Sequence, residues 1–314
     1  MYNRTDIDNL AKETNYIRDN VEKIVRLSGI LRQLNADSLF ADNLALKGGT
    51  AINLVIAPLP RLSVDIDLDF TDNCVRMAMM RKRKEINERL DAYMNSEGYR
   101  LTPRSKSPLS IDSWVYQYTN SVGNNDNIKI EINYSMRCHI LPIVRKSILI
   151  PQLGDFTVRT LDVVELYATK IKALLERGAA RDLYDVHNMI EQNIIEEQQK
   201  PTLRKGIIFY SVLGSDTKRE NLFSLDSISR LQFKQIRASL LPVLKKGTYF
   251  ELESIKNQVV SYLKELLTIT DTEEKFIRLF YEGLYKPELL FDDKSITDSV
   301  ANHPMAIWKT QHIK

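Results

Sequence analysis

Cysteine is almost missing from these 314 residues: Cys74 and Cys138 stand far apart and form no CxxC pair. That excludes a disulfide framework and a zinc site built on the chain's own thiols. Long apolar runs are missing as well, since nothing approaches the roughly 18 residues of a membrane-spanning helix. The opening MYNRTDIDNL lacks the basic start and apolar stretch of a signal peptide, so the expectation is a soluble, cytoplasmic protein with no membrane partner. Neither sign of charge dominates. Lys and Arg number 44 against 41 Asp and Glu, a net +3, which excludes a strongly basic nucleic-acid coat but leaves room for a local basic patch. The four histidines and two tryptophans mark no site, and His303 and Trp308 read as packing residues. No internal repeat or low-complexity segment is visible. What is present is 43% hydrophobic residues, enough for a core in one large domain or two modest ones.

Along the chain, apolar residues at helical spacing (Ile17, Val21, Ile24, Val25, Leu31) predict a helix over 10–34. A short strand then ends in the glycines of LALKGGT. TAINLVI reads as one or two helical turns closed by Pro58 and Pro60. SVDIDLDF predicts a strand, 74–97 a charged helix, and YRLTPR, SWVYQYT and NIKIEINYS three further strands, with GNND at 123–126 as a turn. From 162 onward the pattern is mostly helical. The expected class is α+β, with domains at 1–160 and 161–314.

In SVDIDLDF, Val64, Ile66, Leu68 and Phe70 alternate with Asp65, Asp67 and Asp69, so one face is apolar and the other carboxylate. A strand acidic on one face is commonly a solvated edge. Here two aspartates two residues apart repel unless a cation or proton neutralises them. NIKIEINYS repeats the design, with Ile128, Ile130, Ile132 and Tyr134 on one face and Lys129, Glu131 and Asn133 on the other. Asp65, Asp67 and Glu131 thus offer hard oxygen donors without histidine or cysteine, which suits magnesium with a phosphate-bearing substrate. Gly48 and Gly49 permit close backbone approach, and the helical turn after them would present N–H groups to an anion. Alone, KGGT is a weak signal, because paired glycines usually mark an ordinary turn.

The helical half holds a second anomaly. Asp162 to Glu165 forms a D-x-x-E helix start, followed by an inward stripe of Val163, Leu166, Tyr167, Ile171 and Leu174. Lys170 falls on that stripe, while Lys172 lies where a solvated lysine belongs. A snorkelling side chain is one reading of Lys170, and a reach toward phosphate or a carboxylate cluster is the other. As a lone buried cation it would be replaced by methionine with no loss of stability. In RDLYDVHNMI, Asp182 and Asp185 share a helix face at i, i+3, and Asp182 also suits the positive end of the helix dipole.

The order KGGTAINL, SVDIDLDF, KIEIN, ELYATKIKALLERGAARDLYD resembles the AbiEii/AbiGii family of nucleotidyltransferase toxins, within the polymerase-beta-like nucleotidyltransferase superfamily. LLPVLKKGTYFELES, YKPELLF and HPMAIWK extend the resemblance over most of the chain. It implies a nucleotidyltransferase fold, a mixed central sheet flanked by helices, with a mostly helical second half completing the active site. It implies Asp65 and Asp67 as metal ligands with Glu131 as the third carboxylate, Gly48, Gly49 and Thr50 at the nucleotide, Lys170 in contact with nucleotide, and Asp182 as an essential acid or anchor, a role Asp185 could share. The activity implied is magnesium-dependent transfer of a nucleoside monophosphate from a nucleoside triphosphate to an acceptor hydroxyl, the 3′ end of transfer RNA being one candidate, in a toxin whose cognate antitoxin acts without stable contact. RMAMMRKRKEINER at 76–89 could touch an RNA backbone, although Glu85 and Glu88 dilute it toward a solvated face. A silent nucleotide- or partner-binding protein of the same fold, or an enzyme modifying a small molecule, stays open.

Overall fold

A computed structural model describes residues 3–57, 60–214, 220 and 222–312, so Pro58 lies outside the described residues. The chain forms two compact units. The first comprises 1–137, 143–161 and 243–247, and the second 138–142, 162–242 and 248–314.

In the first unit a mixed seven-stranded sheet carries helices α1 (Arg4–Thr14), α2 (Arg18–Ala36), α3 (Ser38–Asn43), α4 (Gly48–Ala51) and α5 (Arg76–Ser96). Its strands are β1 (Leu44–Lys47), β2 (Asp65–Phe70), β3 (Arg100–Leu101), β4 (Ile111–Thr119), β5 (Asn125–Asn133), β6 (Val144–Ser147) and β7 (Thr157–Thr160), in the order β3-β4-β5-β2-β1-β7-β6. β2 runs parallel to β5 and antiparallel to β1. Ile66, Leu68 and Phe70 of β2 and Ile128, Ile130 and Ile132 of β5 are all buried, which fixes the register of two central strands through the apolar face. The expected α+β class with a mixed sheet and flanking helices is the observed one.

Two local expectations change. The helix over 10–34 is two helices, because Asn15 adopts a left-handed conformation (φ 60°). Its side-chain amide donates to the Lys246 carbonyl at 3.0 Å, and the Lys246 N–H donates back to the Asn15 carbonyl at 2.8 Å. Ile17 becomes the N-cap of α2 and is exposed, while Tyr16 is buried in its place. β6 and β7 were not expected: VRKS and TVRT are four residues each with a single apolar residue, too short for alternation to register.

The second unit is helical: α6 (Val163–Arg177), α7 (Ala180–Glu191), α8 (Lys200–Leu213), then Leu252–Leu266, Asp271–Tyr281, Lys294–Val300 and Pro304–Gln311 among shorter turns. Leu166, Tyr167, Ile171 and Leu174 form the buried stripe of α6, whereas Val163 stands off it, half-buried. Asp162 caps α6 by accepting from the Val164 N–H at 2.9 Å. Glu165 does not close a capping box. It is fully buried and accepts from the N–H groups of Ile140 (3.3 Å) and Leu141 (3.0 Å), from the Tyr210 hydroxyl, and lies 3.0 Å from His139 Nδ1. His303 is buried, caps the last helix and packs edge-on against Phe209 at 5.3 Å between ring centroids. Trp308, expected to pack, is instead half exposed and stacked on His312. Among the described residues no helix is long and apolar enough to cross a membrane.

Candidate functional site

Parallel pairing of β2 with β5 sets Asp65 beside Lys129, Asp67 beside Glu131 and Asp69 beside Asn133. Because the isoleucines between them point into the core, these six side chains share the opposite face. On the other flank, β1 sets Lys47 beside Asp67 and Ala45 beside Asp69. One sheet face thus carries Asp65, Asp67 and Glu131 on two adjacent strands, with a lysine on each side.

The lysines differ in what they do. Lys47 Nζ donates to Asp69 Oδ1 at 2.5 Å, and Asp69 is buried, so this carboxylate is locked in a structural ion pair. Lys129 Nζ lies 2.9 Å from Glu131 Oε1, both side chains being partly exposed. Burial draws the Lys129 pKa down, but the hydrogen bond and charge of Glu131, together with the charges of Asp65 and Asp67, outweigh it and raise it. Asp65 and Asp67 themselves are half-buried.

The glycine turn lies against Asp67. Gly48 has φ +68°, and a Cβ there would stand 2.6 Å from Asp67 Oδ2; at Gly49 a Cβ would meet the Arg61 guanidinium at 2.5 Å and Ser63 Oγ at 2.9 Å. Neither position has room for a side chain. Lys47, the N-cap of α4, makes no side-chain cap, and α4 passes directly into one π turn, Ile52–Ile56. Thr50 is fully buried, and its hydroxyl donates to the Asp65 carbonyl and lies 3.0 Å from Ser63 Oγ. Its hydroxyl therefore ties the glycine turn to the first residue of β2. Asn53, also fully buried, donates from Nδ2 to the Gly49 carbonyl at 2.5 Å and accepts from the Arg61 N–H at 3.3 Å. The buried Arg61, whose guanidinium donates to the Leu62 carbonyl at 2.9 Å, puts a positive charge behind the turn. Sequence reading passed over Lys47 and Arg61: a charge in the proline-flanked LPRLS looks like a linker residue, and nothing in the chain order shows that it folds under the glycines.

In the second unit Lys170 is buried and its ammonium stands between two carboxylates, 2.9 Å from Asp182 Oδ1 and 3.0 Å from Asp185 Oδ2. Both aspartates are about 1% exposed. Arg177 Nε donates to the other oxygen of Asp182 at 2.8 Å. Burial alone would raise the Asp182 pKa; the charge of Lys170 and the hydrogen bond and charge of Arg177 hold it below the ordinary value. Lys172, by contrast, makes a surface pair with Glu176 at 2.6 Å.

The acidic face fits a hard divalent ion by donor type: oxygens only, on neighbouring strands, beside a turn cleared of side chains. Among the described residues no three His, Cys, Asp or Glu side chains are gathered in ligand geometry. Cys74 and Cys138 form no disulfide. On α5 the basic run is partly paired with neighbouring carboxylates. Arg83 is buried on Asp112 (2.5 Å), Lys82 pairs with Asp72 (2.8 Å), Arg89 with Asp37 (3.1 Å) and Lys84 with Glu88 (3.7 Å), and Arg76, Arg81, Lys84 and Arg89 are exposed.

Comparison with known proteins now adds a family. The profile of the nucleotidyl transferase AbiEii toxins of type IV toxin–antitoxin systems matches residues 29–256. Among solved structures, the chain resembles MenT4, a nucleotidyltransferase toxin from Mycobacterium tuberculosis H37Rv, with a TM-score of 0.66 and 14% identity over 96% of this chain and 99% of that one. At that identity the likeness concerns the fold. Curated protein sequences give no match.

Proposed function

Because the chain belongs to the AbiEii family of nucleotidyltransferase toxins, we propose that it moves a nucleoside monophosphate from a nucleoside triphosphate to an acceptor hydroxyl, using the acidic face of β2 and β5. The observation that carries this reading is the closeness of the glycine turn to Asp67: a Cβ on Gly48 would stand 2.6 Å from its Oδ2. A phosphate approaching the backbone of Gly48 and Gly49 is thereby brought to the carboxylates.

Asp65 and Asp67 would hold a magnesium ion, with Glu131 as third donor; when bound, the ion supplies positive charge to the triphosphate and favours ionisation of the acceptor hydroxyl. The chain's own contribution is placement. Gly48 and Gly49 give the phosphates access to main-chain N–H groups. Thr50, through the Asp65 carbonyl, fixes the distance between turn and strand. Asp69 is held out of the donor set by Lys47. We assign Lys170 to nucleotide contact and Asp182, with Asp185, to anchoring its ammonium. The family resemblance and the buried ion triad support that assignment.

For the acceptor we favour the 3′ end of an RNA, transfer RNA first, with the exposed Arg76, Arg81 and Lys84 as the backbone-contacting charges. Toxicity in the cytoplasm, relieved by a cognate antitoxin without stable contact, completes the proposal. The test is incubation with each labelled nucleoside triphosphate, magnesium and total bacterial RNA. Label on RNA with wild type and none with Asp65→Asn is the expected result. Label on protein or on a small molecule would reject the RNA acceptor, and no transfer with any nucleotide would reject the activity.

A further inference from the structure

Lys47 and Lys129 flank the same carboxylates but hold them differently. Asp69 is only 5% exposed at its side chain beneath Lys47, whereas Lys129 and Glu131 are 39% and 27% exposed at theirs. The first pair is sealed; the second can open into water at little desolvation cost. Without Lys129, register would leave Asp65, Asp67 and Glu131 as three carboxylates on adjacent strands facing one another. With it, Glu131 is paired with an ammonium at 2.9 Å.

We propose that Lys129 is a displaceable counter-cation of the acidic face: it balances Glu131, Asp65 and Asp67 in the metal-free protein and must release Glu131 before that carboxylate can take a divalent ion. The inference rests on the metal-seat reading of Asp65 and Asp67. It gives Lys129 a positioning role with a defined sign, because the residue opposes metal binding while stabilising the metal-free fold. A lysine suits it better than an arginine, since its point charge on a flexible stem can swing away from one carboxylate where a bidentate fork would hold on.

Manganese binding, followed through the electron paramagnetic resonance signal of the free ion, tests this without any turnover. Lys129→Met should bind Mn²⁺ about 1.5- to fivefold more tightly than wild type, the range for losing one partly exposed ion pair. Its metal-free form should melt lower and gain more from added Mn²⁺. Lys129→Arg, which keeps the charge, should bind no more tightly than wild type, and Lys129→Gln provides the same test as methionine if that variant does not fold. Unchanged or weaker Mn²⁺ binding by Lys129→Met, with Asp65→Asn having lost it, overturns the role of Lys129 and leaves the metal seat standing. If wild type binds no Mn²⁺, or Asp65→Asn binds it equally well, the metal seat and the counter-cation fall together.

Discussion

Replacing Gly48 by alanine probes the one contact on which the proposed chemistry rests. Two costs arise at this position. A residue with a Cβ at φ +68° is in the left-handed region, which costs about 1–2 kcal/mol. The added Cβ would also lie 2.6 Å from Asp67 Oδ2, so the carboxylate must leave its rotamer, at roughly 0.5–1.5 kcal/mol more. Gly98 separates the two costs. It has φ +81° and nothing within 4 Å of an added Cβ, so Gly98→Ala measures backbone strain alone. Urea unfolding of the two variants should place Gly48→Ala below Gly98→Ala by about 0.5–1.5 kcal/mol. Mn²⁺ titration should show weakened binding only for Gly48→Ala, because only there does a carboxylate move. Equal stabilities together with wild-type Mn²⁺ affinity in both would refute the claim that the glycine turn positions Asp67.

Asp65→Asn should leave the unfolding free energy, measured in urea, within about 0.5 kcal/mol of wild type, the core face of β2 being untouched, while transfer falls by orders of magnitude. Asp69→Asn should do the opposite, costing about 1–3 kcal/mol by depriving Lys47 of its buried partner and lowering transfer only a few-fold; a comparison of urea midpoints and single-turnover rates distinguishes them. The stability expected to survive Lys170→Met on the view of a lone cation is reversed by the structure. Removing the ammonium leaves Asp182 and Asp185 buried together, and the loss should be about 3–5 kcal/mol, against under about 1 kcal/mol for the surface-paired Lys172→Met, both read from urea midpoints. Asp182 also predicts an acid limb. Its pKa is lowered on folding, so its contribution is fully present above the unfolded value of about 3.9 and is lost as pH falls from there through the folded value. Stability measured between pH 7 and 3 should decline at the acid end, and Asp182→Asn should flatten that decline; an unaltered acid limb in the variant would count against the ion triad.

Much of the architecture was legible because its signals are local. Alternation in SVDIDLDF and NIKIEINYS determined both strands and their two chemically distinct faces, and the helical period did the same for α6. Family membership could be read from the ordered motifs. The break at Asn15 was not legible, because it depends on an exchange of hydrogen bonds with Lys246, remote in the chain. The same holds for Glu165, whose D-x-x-E spacing reads as a capping box but whose partners come from residues 139–141 and Tyr210. Sequence alone determined which carboxylates share a strand face, since that follows from a two-residue period. Only the tertiary structure decided which lysine answers which carboxylate. Lys129 holds Glu131 from two positions away on its own strand, whereas Lys47 reaches Asp69 because the antiparallel pairing of β1 with β2, which sets Lys47 beside Asp67, brings together charges that the chain order keeps apart. Whether the lysine on the α6 stripe snorkels or pairs was likewise decided by α7, which returns Asp182 and Asp185 to it at 2.9 and 3.0 Å.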